Sequence, residues 1–450
     1  MKKLHGFLWS RAWALCAASA AATGALEASP QSPSDVLFGV SPQSLFGYAV
    51  TGFSDFDGDG REDFAVSLPC DNQRGPLAGA VKVFTGPRWH ERLNLLGSKA
   101  GDLFGSSLAR IGDLDCDGAD ELLVGAPGAS PRGRSSGEAL VFSGSTAEIL
   151  FRVPGSSAGD ECGFAVCAVG DLDGDGRTEF AVGSPGARFH GRNSGVVRVY
   201  DGADLTVRYS FFGAEFGERF GAALAGPGDM DGDGIPELAV GAPCPRLDRP
   251  GYVRVLAGRN ASVLATFGGQ RTWEQFGTAL CGAGDTDGDG HADLLVGSPL
   301  ARPGAREAEA AREHACGSVT LFSGRTGRPR FVLASQGSED RLGTSVALGP
   351  DLNGDGLRDL LAGAPQRYLP RGGYVQAFSA ADGTEIATWI GAGTGDQFGA
   401  ATAALAVTGP GQEIGLVLVG APADKNLIPD GTRGVSVGSV SLISIVRPRP

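Results

Sequence analysis

Short apolar runs recur along this chain at a nearly constant spacing. They read Phe-Ala-Val, Leu-Leu-Val or a close variant, as at Phe64, Leu122 and Leu238, and each ends shortly before a proline. Successive runs are 58 residues apart, except for one interval of 56 and one of 66. Because such runs are short and bounded by turn residues, they indicate buried β-strands. The fixed period predicts a repeat array.

Each repeat contains more than one strand signal. A second strand pattern follows the proline after a variable loop, as in residues 80–84, 140–142 and 196–200, and a glycine-led turn then precedes another. An aromatic-glycine pair stands nine residues before the acidic stretch of most repeats, at Phe46-Gly47, Phe104-Gly105, Phe220-Gly221 and Phe276-Gly277. The third and sixth repeats have Cys162-Gly163 and Leu342-Gly343 instead. Four short strands per repeat of this length predict an all-β fold built of propeller blades.

An acidic loop precedes each of six apolar runs and reads Asp-x-Asp/Asn-x-Asp-Gly-x-x-Asp/Glu. Side chains at positions 1, 3 and 5 converge in a tight loop, glycine at position 6 permits the turn, position 7 offers a carbonyl, and position 9 closes the shell. The predicted ligands, loop by loop, are Asp55, Asp57, Asp59, Arg61 and Asp63; Asp113, Asp115, Asp117, Ala119 and Glu121; Asp171, Asp173, Asp175, Arg177 and Glu179; Asp229, Asp231, Asp233, Ile235 and Glu237; Asp285, Asp287, Asp289, His291 and Asp293; and Asp351, Asn353, Asp355, Leu357 and Asp359.

Oxygen ligands in this number favour a hard cation, so we expect about six Ca²⁺ ions. An EF-hand starts in the same way but requires a glutamate at position 12, where these loops have Val66 or its counterparts. The loops therefore join two strands. One such loop alone could equally be a plain surface turn, but six in phase favour metal binding.

A seventh repeat keeps Phe398-Gly399 and Gly420-Ala421-Pro422 but has Thr408, Pro410, Gln412 and Leu416 in the ligand positions, so we expect no calcium there. It ends one strand short, at residues 439–446. The segment 34–40 contains Leu37-Phe38-Gly39, which is in phase with the fourth-strand residues Leu95-Leu96-Gly97. This match predicts that an N-terminal strand completes the last blade and closes the ring.

Together, the Phe-Gly pair, the acidic loop and the Gly-Ala-Pro sequence resemble the FG-GAP repeat of integrin α-subunit propellers. The resemblance covers residues 34–446 and implies a seven-bladed β-propeller with calcium in the first-to-second-strand loops. It also implies a binding or adhesion module. The chain differs from integrins in having six metal loops, no inserted ligand-binding domain and no leg domains.

Composition and the N-terminal segment favour an all-β domain of an exported protein. Glycine is unusually abundant, with 73 of 450 residues, which fits an all-β chain with many tight turns. Residues 1–28 open with two lysines and continue as an apolar stretch that we interpret as a signal peptide, so the protein is expected to be secreted or to lie at the cell surface or in the periplasm. The net charge of −13 is close to what six Ca²⁺ ions would neutralise. Outside the signal segment, the seven cysteines cannot all pair.

Loops on the face opposite the metals offer a surface for a partner. The second-to-third-strand loops carry the cations Arg74, Arg132, Arg134, Arg188, Arg192, Arg246, Arg249, Arg302, Arg306, Arg312, Arg367, Arg371, Lys425 and Arg433. They also carry the acids Asp71, Asp248, Glu307, Glu309, Glu313, Asp424 and Asp430. This face is either ordinary solvated surface or a rim that holds an anionic glycan or an acidic protein segment. The longest of these loops, around residues 302–315, favours a short helix.

The sequence favours a binding protein over an enzyme. His90, His190 and His314 have no nucleophile or carboxylate pair near them in sequence, and His291 falls within a metal loop. We therefore expect a secreted calcium-binding module with a protein or glycan ligand, no nucleic-acid partner and no membrane span. The alternatives are a lectin-like propeller and a hydrolase whose site is assembled across blades.

Overall fold

The computed structural model describes residues 35–53, 55–244, 249–302, 315–335, 337, 339–366, 372–409, 412–424 and 436–448. Over these ranges the chain forms β-strands and turns and no α-helix. None of the described segments is a helix with the length and apolar character that a membrane crossing needs. The predicted signal peptide and the predicted short helix of the long loop fall outside the described residues.

The strands follow one another with regular lengths. The first fourteen are β1 (Asp35–Phe38), β2 (Val50–Phe53), β3 (Asp63–Leu68), β4 (Ala80–Thr85), β5 (His90–Leu96), β6 (Ser107–Arg110), β7 (Leu122–Ala126), β8 (Glu138–Phe142), β9 (Ile149–Pro154), β10 (Ala165–Gly170), β11 (Glu179–Ser184), β12 (Val196–Tyr200), β13 (Val207–Phe212) and β14 (Ala223–Gly228). The others are β15 (Glu237–Ala242), β16 (Tyr252–Leu256), β17 (Val263–Gly268), β18 (Ala279–Gly284), β19 (Asp293–Ser298), β20 (Ser318–Phe322), β21 (Pro329–Ala334), β22 (Ser345–Leu348), β23 (Leu360–Ala364), β24 (Tyr374–Phe378), β25 (Glu385–Ile390), β26 (Ala401–Gly409), β27 (Gln412–Ala421) and β28 (Ser439–Pro448).

These strands form seven antiparallel sheets of four strands each. Six sheets use four consecutive strands, starting with β2–β5 as blade 1 and ending with β22–β25 as blade 6. The innermost strands β2, β6, β10, β14, β18, β22 and β26 lie side by side, and β26 contacts β2, so the ring returns to its start. The all-β, seven-bladed propeller expected from the repeat is thereby confirmed.

The seventh sheet has the strand order β1-β28-β27-β26, so it combines the two ends of the described chain. Leu37 of β1 is paired with Val440 of β28. Leu95 is paired with Val81 in the same way in blade 1. In this blade the pairing of β26 with β27 extends to Gly409 and Gln412, over positions where the other blades have an acidic loop.

The core consists of seven separate layers, each between two neighbouring blades. Second strands such as β3 and β15 are buried along their whole length, because a neighbouring blade covers each face. Fourth strands such as β13 alternate between exposed and half-buried positions, because they form the outer edge. The layer between the first and last blades contains Phe64, Leu418 and Leu442, so it joins strands from opposite ends of the chain.

The Phe-Gly and Gly-Ala-Pro signatures meet at the contacts between blades. The Gly221 N–H donates to the Gly241 carbonyl at 3.0 Å, which ties the start of blade 4 to its own second strand. A Cβ on Gly241 would lie 2.2 Å from the Gly277 carbonyl oxygen of the next blade. Glycine is required because the two backbones approach too closely for a side chain. Phe220, before the first of these glycines, is fully buried.

Candidate metal centres

Each acidic loop is organised around the carboxylate at position 1. In the first loop, the N–H groups of Gly58 and Gly60 donate to Asp55 at 2.7 and 2.6 Å. Both glycines have a positive φ, 76° and 84°, which allows the chain to turn around the carboxylate. Position 5 accepts from position 7, as in the 2.9 Å bond from the Arg61 N–H to Asp59. In all six loops the N–H of the glycine at position 6 donates a hydrogen bond to the carboxylate at position 1.

The carboxylate at position 9 lies at the first residue of the second strand or directly before it, and it is completely buried in every loop. These residues are Asp63, Glu121, Glu179, Glu237, Asp293 and Asp359, each 0% exposed. Each accepts a hydrogen bond from the backbone N–H at position 2, for example from Met230 to Glu237 at 2.5 Å. This bond closes the loop and points the acid inward.

Burial changes the protonation of these acids. Loss of solvent raises the pKa of Glu121 and of Glu237 to about 7, against the partial effect of their backbone hydrogen bonds. The same cause raises the pKa of Asp63 and of Asp359 to about 6. A carboxylate that stays ionised in such a place needs a nearby positive charge.

Three of these buried acids also have an oxygen without a hydrogen-bond partner among the described residues: Glu121 Oε1, Glu237 Oε1 and Asp359 Oδ1. A buried unpaired carboxylate oxygen is costly unless a cation or a donor meets it. The predicted side-chain ligands of these loops are all oxygen atoms of Asp, Asn and Glu. The residues therefore fit a hard divalent cation.

The structure brings the predicted ligands together to different degrees. All four carboxylates converge in the second and fourth loops, with one oxygen of each within 4.8 Å of the others. Three carboxylates converge in each of the first, third and fifth loops, namely Asp55, Asp57 and Asp63; Asp171, Asp173 and Glu179; and Asp285, Asp287 and Asp289. In these loops Asp59, Asp175 and Asp293 stand outside the group. The sixth loop has the same backbone pattern around Asp351 and Asp355, but its acids do not converge as a group.

The position-7 residues are placed by their backbones. The N–H groups of Arg61, Ala119, Arg177, Ile235, His291 and Leu357 all donate to the acid at position 5. The His291 imidazole Nδ1 lies 2.9 Å from the Met230 carbonyl oxygen of the preceding blade, so the ring bridges two loops. Metal coordination by these carbonyls and by the acids remains a prediction.

Neighbouring elements add contacts that the sequence analysis did not anticipate. Arg208 Nη1 lies 2.6 Å from Asp173, and the Arg330 guanidinium lies 3.4 Å from both Asp287 and Asp293. The Arg259 Nε lies 2.6 Å from Asp233. These arginines follow the third strand, outside the loop motif. Arg208 and Arg330 each lie eight residues after the end of the third strand, which is a spacing that the sequence shows, whereas Arg259 lies three residues after it.

A second set of buried acids lies at the other face, two residues before the Phe-Gly position. They are Asp102, Asp160, Glu218, Glu274, Asp340 and Asp396. Asp160 accepts from the backbone N–H groups of Ser156 and Ser157 at 3.0 and 2.8 Å. Asp396 likewise accepts from Gly393 at 3.0 Å. These acids order the fourth-to-first-strand loops. The sequence analysis missed them because one acid per repeat gives no local motif.

The face opposite the metal loops carries exposed aromatic side chains. Phe189 is 62% exposed and stacks on Phe212 at 4.0 Å between ring centroids. Phe216 is 59% exposed, and its Cβ lies over Gly191. Phe164 is 39% exposed, and the Arg219 guanidinium lies over its ring at 4.9 Å from the centroid. We call Phe164, Phe189 and Phe216 the aromatic patch.

Among the predicted cations of this face, those in described residues are mostly exposed. Arg74, Arg132, Arg134, Arg188 and Arg192 face solvent. Arg249 is also exposed and forms an ion pair with Glu215 at 2.5 Å. Asp71, Arg302 and Asp424 are also among the described residues. The other charged residues predicted for these loops fall outside the described ranges. Arg188 and Arg192 are close to Phe189 of the aromatic patch in sequence, and Arg219 contacts Phe164.

Comparison with known proteins identifies the repeat. The FG-GAP repeat family matches residues 163–200, 220–256, 276–310 and 342–378. The chain is 36% identical over 227 residues to integrin alpha-PS2 of Drosophila melanogaster, 31% over 220 to integrin alpha-5 of Xenopus laevis and 30% over 246 to integrin alpha-V of Gallus gallus. These alignments cover 45%, 45% and 50% of this chain but 16%, 20% and 22% of the relatives.

The crystal structure of Saccharomyces cerevisiae Sqt1 shares the fold, with a TM-score of 0.54 and 11% identity over 93% of this chain and 100% of that one. At such low identity, the likeness concerns the propeller architecture alone. The repeat signatures, the seven blades and the similarity to integrins agree: the chain contains FG-GAP repeats, and its propeller is similar to those of integrin α-subunits.

Proposed function

We propose that this chain is a secreted calcium-binding propeller that acts as a binding or adhesion module. Calcium is held by the six acidic loops, with the ligands predicted above. A protein ligand binds at the opposite face. The similarity to integrin α-subunits supports the class of function, although the alignments span about a fifth of those proteins. Export suits the metal, because loops with millimolar affinity fill outside the cytosol.

The case for calcium rests on the buried acids. Glu121, Glu237 and Asp359 each leave one buried oxygen without a partner. Bound Ca²⁺ would supply the positive charge that keeps these acids ionised at neutral pH. The loop backbones hold the remaining carboxylates near that charge.

The aromatic patch is the reason for assigning the ligand to the face opposite the metal loops. Phe189 and Phe216 are each about 60% exposed, and large apolar side chains grouped on one face are typical of interaction sites. Aromatic residues and arginine are also the types enriched at the centres of protein interfaces. The arginines beside the patch favour an acidic partner segment.

A double variant, Phe189→Ser with Phe216→Ser, tests this assignment. The calcium-loaded wild-type chain would be immobilised and used to capture proteins from the extracellular fraction of its source. We expect to capture a defined partner that binds the double variant at least about tenfold more weakly. The variant lacks two aromatic side chains that the complex would bury.

Val263→Ser provides the matched control, since Val263 is 55% exposed on the outer strand β17. It should bind the partner like the wild type. Equal binding by the double variant would reject the aromatic patch as the ligand site, and the melting temperature of each variant would establish that it is folded.

A second candidate function is glycan binding, favoured by a cavity of about 460 Å³ between blades 5 and 6. Tyr374 and Gln366 donate to the two oxygens of Asp340, each at 2.8 Å. Gln366 is 5% exposed, and its Oε1 has no hydrogen-bond partner among the described residues. Planar polar groups beside aromatic rings suit a neutral sugar.

Glycan-array binding would test this alternative. If the cavity holds a sugar, Gln366→Met should remove the signal, because methionine has a similar size but cannot hydrogen-bond the ligand. Gln73→Met, on an exposed loop of blade 1, serves as the control. If the calcium-loaded protein binds no glycan on the array, the lectin alternative is excluded.

A further inference from the structure

The fourth strand of each of the first six blades contains a bulge with one extra residue. In blade 3, Val199 is paired with Tyr209 but Tyr200 is paired with Val207, which leaves Arg208 as the extra residue. The equivalent extra residues in blades 1 to 6 are Arg92, Leu150, Arg208, Leu264, Arg330 and Ile386. Arginine and an apolar residue thus alternate around the ring. A bulge re-aims the side chain of its extra residue.

In blades 3 and 5 this arginine reaches the predicted calcium ligands. Arg208 Nη1 lies 2.6 Å from Asp173 Oδ2 and 3.3 Å from Asp201 Oδ2. Arg330 Nε lies 3.4 Å from Asp287 Oδ2, and its Nη1 lies 3.4 Å from Asp293 Oδ2. Arg330 also donates to the Thr286 hydroxyl in the same loop. Both side chains are less than a quarter exposed, so their charge is only partly screened.

Blades 2 and 4 have Leu150 and Leu264 at the bulge, and their loops differ in two ways. All four carboxylates converge only in these two loops, among the described residues. Their buried acids, Glu121 and Glu237, each keep an oxygen without a partner. In the arginine blades, by contrast, both oxygens of Glu179 and of Asp293 accept hydrogen bonds.

We propose that Arg208 and Arg330 are built-in counter-cations that divide the metal loops into two classes. The second and fourth loops have no arginine at the bulge, so they depend on calcium for more of their charge balance and bind it tightly. The Arg259 guanidinium, which pairs with Asp233 of the fourth loop, is 57% exposed, so solvent screens its charge. The third and fifth loops are already partly neutralised, so they bind calcium more weakly and keep their fold when it is removed. This inference rests on the proposed calcium binding.

The physical reason is competition between two cations for the same oxygens. A guanidinium within hydrogen-bond distance of a ligand carboxylate stabilises the empty loop, and it repels a divalent ion a few ångströms away. Leucine does neither. We expect the calcium affinities of the two classes to differ about tenfold or more. At a partly buried site, the repulsion between the guanidinium and the calcium ion is only partly screened by solvent.

Arg208→Leu and Arg330→Leu are the direct tests, because leucine is the residue that blades 2 and 4 have at the same bulge. Calcium binding to the chelator-stripped chain would be followed by titration calorimetry, with native mass spectrometry to count the ions. Each variant should convert one weak site into a tight one, with an affinity gain of about tenfold. Arg208→Lys, which keeps the charge, should gain less.

Arg92→Leu is the matched control, because Arg92 is the extra residue of blade 1 but faces solvent. It should leave all affinities unchanged. Arg208→Gln is a second variant, which keeps a polar side chain in case leucine prevents folding.

Melting temperatures separate a counter-cation from a residue needed only for packing. Without calcium, Arg208→Leu should melt below the wild type, because its loop has lost its internal cation. In saturating calcium, it should melt at or above the wild type. Lower melting in both conditions, or unchanged affinity, would overturn the inference. Absence of any calcium binding in the wild type would instead reject the proposed function.

Discussion

The buried acid at position 9 determines how each loop responds to pH and to calcium. It is fully shielded from solvent and held by the backbone N–H at position 2, so it cannot turn outward to water. Burial raises the pKa of this acid in all six loops. Without a cation the acid therefore keeps its proton to higher pH than an exposed carboxyl does, and with a cation it becomes a ligand. The loop therefore couples proton release to metal binding.

Glu237→Gln should reveal this coupling. Burial raises the pKa of Glu237 to about 7 from its ordinary value of 4.5, so the calcium-free folded chain holds the proton more tightly than the unfolded chain. This stabilising contribution is fully present below about pH 4.5 and is lost as the pH rises through about 7. The calcium-free wild type should therefore melt at lower temperature at pH 8 than at pH 5, and Glu237→Gln should reduce that difference.

Melting curves of the chelated chain between pH 5 and pH 8 provide the measurement. At pH 8 without calcium, Glu237→Gln should be more stable than the wild type, by a free energy of unfolding on the order of 1 kcal/mol. In saturating calcium it should be less stable, because one ligand is lost. Glu148→Gln, on an exposed turn, is the control. Indistinguishable pH profiles for Glu237→Gln and the wild type would contradict the coupling.

Gly241→Ala tests the close approach of neighbouring blades. Its new Cβ would meet the Gly277 carbonyl oxygen at 2.2 Å, so the backbones must separate, at a cost of about 2 kcal/mol or more. Gly268→Ala is the control, because no atom lies within 4 Å of its added Cβ. Thermal unfolding of both variants in calcium should show a clear loss for the first and little change for the second. Equal melting temperatures would mean that the ring can widen locally without cost.

At the scale of elements, the strand ladders explain why the repeat tolerates variation. Cys162 and Leu342 replace the phenylalanine of the Phe-Gly pair and are still buried at 1% and 0% exposure. The position requires an apolar side chain of suitable size and not an aromatic ring. The glycine that follows is present in all seven blades. Its φ is between 80° and 89° in each of them, a conformation that favours glycine, and its N–H donates to the second strand.

The last blade depends on an element that is remote in sequence. β1 contributes the outer strand next to β28, with Asp35 to Phe38 paired to residues 439–442. Deleting residues 30–40 should expose the edge of β28, which invites aggregation or strand exchange between chains. Size-exclusion chromatography and thermal unfolding would show an oligomeric or less stable protein.

Deleting residues 1–28 is the control, because these residues are interpreted as a signal peptide and precede β1. This shorter deletion should leave the elution volume and the melting temperature unchanged. If the longer deletion also stays monomeric and equally stable, the pairing of β1 contributes little to ring closure.

At the scale of the whole molecule, seven inter-blade cores make the ring depend on every blade. No blade can bury its own apolar faces, so the loss of order in one loop affects two neighbouring layers. The calcium loops tie first and second strands together close to the central axis. Removing the ions should therefore weaken the ring and not merely local hairpins.

Chelation should lower the melting temperature strongly, and the fully loaded chain should contain six calcium ions. Each occupied site stabilises the folded state by about 2.7 kcal/mol when calcium is 100-fold above its Kd. Asp229→Ala should remove one ion and cost less stability than chelation of all sites. Elemental analysis of the desalted protein and calorimetry with and without chelator would measure both effects. A stoichiometry of two or fewer, or a melting curve indifferent to chelator, would contradict the assignment.

The sequence by itself determined the features that repeat locally: the all-β class, the seven blades and the six acidic loops. These follow from periodic strands and from residues within nine positions of one another, such as Asp229 to Glu237, whose spacing dictates the turn. Tertiary structure alone decided which distant side chains meet those loops. Arg208 and Arg330 reach their acids through bulged outer strands, and Phe189 and Phe216 share a face through two separate loops. Such contacts depend on strand register and blade packing, which join residues that have no local pattern in common.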